Sequence, residues 1–314
     1  MSETEASKCT SELLRGVPVG AVLVTHNRPV ELRESARVVA AQSHPLSTIV
    51  VVDNGVDHQA TRDVLDSVEW GETGVSLVHK PENIGPAGGF AVGCRQLDAV
   101  DPVDWVLLLD DDDPLPGPSV LGDLLELALA MRRADETFGG IAMKGARFRA
   151  RSLRTLGVEL DDQAVAPVDH LHGCNAPLYW RAALRDVGEF DEKLFWGLEE
   201  LDTGLRLTRR GWRLYMAVGL MKQFPLPERY YRLRRRPRLT VSEPVPADYY
   251  RIRNLAYIGW RHAAPINVVS ALFVRAIGKP LVNLVIHPRR ASRTLAMNLR
   301  ALYDGTTGRM GRRL

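Results

Sequence analysis

Four short apolar runs, each followed by a helical segment, dominate the first 135 residues and narrow what the chain can fold into. They are VPVGAVLV from Val17 to Val24, TIVVV from Thr48 to Val52, Val75 to His79, and WVLLL from Trp105 to Leu109. They are apolar runs instead of strictly alternating ones, so both faces of the strands are expected to be covered. The intervening segments read as helices, at Val30 to Ala41, Thr61 to Val68, Gly85 to Leu97 and Ser119 to Arg132. Alternation of this kind makes a mostly parallel sheet flanked by helices on both sides. In such sheets ligands bind beyond the carboxyl ends of the strands. Thr25, Asp53 and Asp110 each follow a strand directly, so they are expected to converge on one crevice.

Beyond residue 135 the pattern loosens. Ile141 to Phe148 and Leu153 to Leu160 are expected as strands, and Arg181 to Val187 and Glu200 to Arg210 as helices. Phe224 to Pro246, rich in Pro and Arg, reads as an irregular connection. The expected organisation is a disordered N-terminus over 1–16 and a catalytic domain over 17–246. The domain divides into a nucleotide-binding half, 17–135, and an acceptor half, 136–246. A helical region over 247–314 completes the chain.

Charge and cysteine usage exclude several classes. The net charge is only +3, but eleven Lys or Arg face one acid between Arg206 and Arg238, and seven Arg face one acid from Arg289 onward. Such runs are either solvated faces or attractors of phosphates and anionic lipid. The three cysteines, Cys9, Cys94 and Cys174, form no CxxC pair, which argues against a disulfide framework and for a reducing, cytoplasmic setting. The first 16 residues lack the apolar stretch of a signal peptide. Ala263 to Ile286 is apolar but interrupted by Arg275, Lys279 and Pro280, so it reads as an amphipathic surface helix or helix pair and a poor membrane span. No internal repeat is evident, and no feature points to a nucleic-acid partner.

Three segments carry chemistry. In WVLLLDDDDPLP, four carboxylates leave a buried strand together, and their repulsion calls for a cation or a substrate. Oxygen ligands from Asp110 and Asp112 suit Mg²⁺ or Mn²⁺ bridging a diphosphate; the competing structural reading is a polar turn before Pro114. In NIGPAGGFAVG, Asn83 to Gly93, glycines permit a close backbone approach, either to a ligand or between helix and sheet. In LFWGLEELDTGLRLTRRGWRL, Leu194 to Leu214, Glu199, Glu200 and Asp202 precede Arg206, Arg209 and Arg210. A helix with acids at its positive end explains that pattern, and so does a carboxylate base that deprotonates an acceptor hydroxyl.

Taken together, VTHNRP, VVVDNG, NIGPAGGFAVG, WVLLLDDDD, FWGLEELDTGLRLTRRGW and DYYRIRN resemble, in this order, the inverting family-2 glycosyltransferases of GT-A (Rossmann-like) fold. The resemblance covers about residues 17 to 260. THNRP, NIGPAGGFAVG and YYRIRN are most similar to galactofuranosyltransferases of actinobacterial cell-wall type, and also to rhamnosyltransferases. It implies a nucleotide diphosphate sugar donor (UDP for galactofuranose, dTDP for rhamnose), a divalent metal, and a glycan, lipid-linked or small-molecule acceptor. Peripheral contact with the cytoplasmic membrane face and homo-oligomers are compatible with it.

By the same resemblance Thr25, Arg28, Asp53 and Asn83 contact the nucleotide, with Gly85, Asp110 and Asp111 beside them. Asp110 and Asp112 bind the metal and Glu200 is the base. Glu199 and Asp202 support it, and Trp196 and Asn175 meet the acceptor. The sequence departs from the family in two places. The slot of a metal-binding His falls near Phe224, with no His between His172 and His262, and Glu stands where many relatives have Asp as base. A nucleotidyltransferase would carry a glycine- and Lys- or Arg-rich phosphate loop after the first strand, where this chain has THNRP. A non-catalytic nucleotide-sugar binder built on the same frame is the remaining alternative.

Overall fold

The computed structural model describes residue 14 and residues 16–159, 163–172, 176–224 and 244–314. The expected disordered N-terminus, most of the Pro- and Arg-rich connection, and Asn175 lie outside the described residues.

The first half follows the alternation. Strand β1 (Val19–Thr25), helix α1 (Pro29–Ala40), β2 (Thr48–Asp53), α2 (His58–Asp66), β3 (Gly74–His79), α3 (Gly85–Val100), β4 (Trp105–Asp110) and α4 (Val120–Ala134) succeed one another. The next elements are β5 (Phe138–Ala142), β6 (Gly145–Arg149), β7 (Arg154–Gly157), β8 (Ala166–Val168), β9 (His170–Leu171) and β10 (Leu178–Trp180). Helix α5 (Arg181–Asp186), a 3₁₀ turn (Glu192–Leu194), α6 (Glu199–Arg209), β11 (Arg213–Met216) and α7 (Val218–Gln223) follow. The eight-stranded sheet has the order β3-β2-β1-β4-β10-β5-β11-β8. Its first four strands are parallel, β10 runs antiparallel between β4 and β5, and β11 is parallel to β5. A small antiparallel sheet, β7-β6-β9, stands apart. The expected strand from Ile141 to Phe148 is therefore two strands, split at Met143-Lys144 and assigned to different sheets.

Register puts the functional ends level. Thr25 pairs with Asp53, and Val24 with Asp110. The glycines of α3 divide by role. A Cβ on Gly93 would lie 2.2 Å from Val22 Cγ1, and one on Gly89 would lie 2.6 Å from Val24 Cγ1, so these two let the helix seat on β1.

The chain ends in helices α8 (Pro246–His262), α9 (Pro265–Leu272), a π-helical turn (Phe273–Gly278), α10 (Lys279–Asn283) and α11 (Pro288–Thr307). Helices α8 and α11 cross closely where Gly305 meets the Arg253 carbonyl, and Tyr249 Oη donates to Asp304 Oδ2 at 2.5 Å. Contrary to the expected interruption at Pro280, Pro265–Asn283 is one helical run of 19 residues, long and apolar enough to cross a membrane by length and composition, with a mean hydropathy of 1.3. Two features carry it through. The wide π turn precedes the proline, and Asn298 Nδ2 donates to the Ala276 carbonyl at 2.8 Å, the group that Pro280 has no N–H to serve. Its inner side packs Val268 and Leu272 on Leu153, Leu255 and Ala256, and Arg275 donates to the Ser152 carbonyl at 3.0 Å. Arg275 and Lys279 at a bilayer centre would each cost about 3 kcal/mol, so lying against the domain is favoured over spanning.

Gly93→Ala tests the seating of α3. Helix propensity alone would stabilise by about 1 kcal/mol, but Val22 is fully buried and cannot yield, and overpacking costs about 1–3 kcal/mol. Denaturant unfolding is expected to show a net loss; a gain would refute the tight contact.

Candidate active site

A crevice of about 570 Å³ opens at the carboxyl ends of β1 and β4. That is within the range of small-ligand sites. Its walls include Thr25, His26, Arg28, Asn54, Asn83, Gly85, Asp110, Asp111, Asp112, Trp196, Glu199 and Glu200. Two segments nearly 90 residues apart, the end of β4 and the start of α6, thus supply its acids.

The four aspartates separate by environment. Asp111 is buried and turned back to the fold. Thr25 Oγ1 donates to its carboxylate at 2.7 Å, Arg28 Nη1 at 3.2 Å and the His26 amide at 3.4 Å, while Ser35 Oγ donates to its carbonyl at 2.7 Å. Thr25 and Arg28 are therefore engaged with this loop, and Arg28 also binds Asp112 at 2.6 Å. Asp110 stands among acids: burial first, then Glu200, Asp112, Asp111 and Asp113, push its carboxyl up to about 8. Glu199 is raised well above the carboxylate range by burial and then by Glu200, and its Oε2 is buried with no hydrogen-bond partner. Asp110, Asp112 and Glu200 line the same crevice, and carboxylate oxygens are the donors a hard divalent cation takes.

The loop before α6 is held under strain. Phe195 has φ 59° and ψ −67°, a γ-turn closed by a 2.6 Å bond from the Trp196 amide to the Leu194 carbonyl, and Gly197 and Leu198 are left-handed. Asn254 on α8 clamps it, donating from Nδ2 to the carbonyls of Leu194 (3.0 Å), Trp196 (3.1 Å) and Gly197 (2.6 Å). Arg253 Nη2 adds a bond to Leu194 at 2.6 Å. Gly85 faces the same loop; with φ +72°, any Cβ there would lie 2.0 Å from the Phe195 carbonyl oxygen. The glycine turn thus serves contact between the two halves as well as the crevice wall. Asn83 accepts the Gly85 amide at 2.8 Å and approaches His26 Nε2 at 3.2 Å.

Some expected residues sit elsewhere. Asp53 is fully buried and does not line the crevice, since Oδ1 accepts the Gly55 amide and Oδ2 faces His79 Nδ1 (3.2 Å) and His58 Nδ1 (3.6 Å). Its neighbour Asn54 lines the crevice instead. Asp53, His58 and His79 place a ligand atom each within 4.8 Å of one another, the group among the described residues whose spacing could hold a metal ion. Asp202 also faces away. It lies one helical turn beyond Glu199, paired with Arg206 at 2.7 Å and near His262 and Arg261. Burial would raise its pKa, but His262, Arg206 and Arg261 hold it below the usual value. Trp196 is 44% exposed at the crevice, edge-on to Tyr250. At the slot of the family's His, the Phe224 ring packs over Gly117 in the loop after the aspartates.

Sequence reasoning missed His26, Asn54, Arg253 and Asn254. The YYRIRN element signalled the last two only as a resemblance, since the loop they clamp lies 57 to 60 residues away.

The sequence profile described as "Glycosyl transferase family 2" matches residues 21–187, more than half of the chain. The chain belongs to this family. Galactofuranosyltransferase GlfT1 of Mycobacterium tuberculosis is 32% identical over 206 residues, covering 62% of this chain and 65% of that protein. GlfT1 of Mycolicibacterium smegmatis is 36% identical over 110 residues, 35% of each chain. This family 2 chain thus spans less than two thirds of the length of these curated relatives. Among solved structures, mannosyltransferase PcManGT from Pyrobaculum calidifontis, in complex with GDP-Man and Mn²⁺, matches with a TM-score of 0.51 at 16% identity, over 97% of this chain and 86% of that one. GalNAc-T7 with UDP, GalNAc and Mn²⁺ matches with a TM-score of 0.50 at 13% identity, over 64% and 42%. These likenesses establish the GT-A fold.

The Asp202 pair yields a pH prediction. A depressed pKa gives stability that is present above the unfolded value of 3.8 and is lost as pH falls through the folded value. Asp202→Asn is expected to cost about 3 kcal/mol near neutrality, with the gap to the parent protein narrowing below pH 3.8 in denaturant unfolding. A gap independent of pH would refute the charged pairing.

Proposed function

We propose that this glycosyltransferase moves a sugar from a nucleoside diphosphate donor to an acceptor hydroxyl with inversion at the anomeric carbon. The observation that carries the reading is the meeting of Glu200, from the start of α6, with Asp110 and Asp112, from the end of β4, in one crevice. Glu200 takes the proton of the acceptor hydroxyl as its oxygen attacks the anomeric carbon. The bond from that carbon to the diphosphate breaks, and the diphosphate leaves with the electron pair. Asp110 and Asp112 hold a divalent cation, Mg²⁺ or Mn²⁺, which when bound offsets the charge of the departing diphosphate.

The chain's own groups set the rest of the site. Arg28 and Thr25 fix the aspartate loop through Asp111. His26, Asn54 and Asn83 form the polar wall assigned to the nucleoside. Glu199, its carboxyl pushed up by burial and then by Glu200, stands beside the base. Trp196 offers a flat apolar face to a glycan, lipid-linked or small-molecule acceptor. The similarity to GlfT1 supports galactofuranose as the sugar, with UDP as the nucleotide that accompanies it.

The test is release of UDP from UDP-galactofuranose in the presence of a galactoside acceptor and Mn²⁺, with dTDP-rhamnose in parallel. Glu200→Gln is expected to lower kcat by about 10²–10⁴-fold with little change in donor KM. Full turnover by the variant would remove Glu200 as base, and consumption of dTDP-rhamnose alone would replace the sugar.

A further inference from the structure

We infer that the outer face of the Pro265–Asn283 helix, continued through Ile286, is a docking surface for an anionic lipid bilayer. The inference stands apart from the catalytic reading. Ile266, Val269, Phe273, Leu281, Val285 and Ile286 are all exposed, the last two 91% and 67%. Ile266, Val269, Phe273 and Leu281 lie on the helix away from Val268, Leu272, Ala276, Pro280 and Asn283, which are buried, and Val285 and Ile286 continue the exposed apolar surface in the turn beyond Asn283. Only 22% of the run is buried, so most of a strongly apolar helix faces outward. An exposed apolar stripe of this length on a surface marks an interaction site.

Charge selects the occupant. From Ala263 to Tyr303 there are six Lys or Arg and no Asp or Glu. Lys279, Arg289 and Arg293 are exposed along or just beyond the stripe. A second copy docking about a two-fold axis would bring this acid-free surface against itself, like charge on like. A bilayer with anionic headgroups satisfies both features, taking apolar side chains into the headgroup boundary while the cations meet phosphates. The inner face keeps its packing on Leu153, Leu255 and Ala256, so the helix lies in the plane of the interface.

The experiment is co-sedimentation of the full chain with sucrose-loaded vesicles of phosphatidylcholine alone or mixed with phosphatidylglycerol, at low and high salt. The chain is expected to sediment with the anionic vesicles at low salt and to be released by high salt. The double substitution Val285→Asp, Ile286→Asp is expected to weaken binding about tenfold or more, and Arg289→Glu about fivefold, both with unchanged thermal unfolding. These residues are exposed and outside the crevice, so the fold and UDP release without vesicles should persist. Absence of sedimentation at low salt would overturn the proposal, as would equal binding by both variants. A dimer in light scattering that the double substitution dissolves would assign the stripe to a second copy instead.

Discussion

Mutual repulsion among carboxylates at the end of β4 and the start of α6 is the constraint around which the molecule is organised. Burial and then its acidic neighbours push the Asp110 carboxyl up to about 8, and burial and then Glu200 push Glu199 up. Isolated ions in such a setting are costly, and a fold that places them together needs compensating structure. Asp111 supplies part of it, tying its own charge to Thr25, His26 and Arg28. Asp110, Asp112, Glu199 and Glu200 face the crevice, where a cation and a diphosphate are proposed to bind.

The second requirement is rigidity on the opposite wall. The γ-turn at Phe195 and the left-handed Leu198 are strained conformations that persist only when their surroundings hold them. Asn254 satisfies three carbonyls of that loop, and α8 in turn is fixed by α11 through Tyr249 and Asp304. The C-terminal helices therefore do more than flank the sheet, since they set the position of Trp196 and the first residues of α6.

The parts legible in the sequence are those governed by local periodicity. Continuous apolar runs fixed four parallel strands, and polar residues just past them located Thr25 and the aspartates. Strand β10 was invisible because three residues, Leu178 to Trp180, carry no period. Asp53 and Asp202 entered the candidate site by position and by resemblance, and spacing could not report that the carboxylate of one meets His58 and His79 and that of the other Arg206. The clamp by Arg253 and Asn254 depends on contacts almost 60 residues apart, which spacing cannot report. Pro280 looked like a break, and only the partner Asn298 explains why the helix continues through it.

The central claim is that the crevice binds diphosphate and cation together, because each offsets what the other leaves unbalanced. Thermal unfolding of the full chain with UDP alone, Mn²⁺ alone and both together measures this directly, since a ligand that binds the folded state raises its stability. The account predicts a combined shift larger than the sum of the separate shifts, abolished by Asp110→Asn. Equal stabilisation by UDP with and without Mn²⁺ would contradict it.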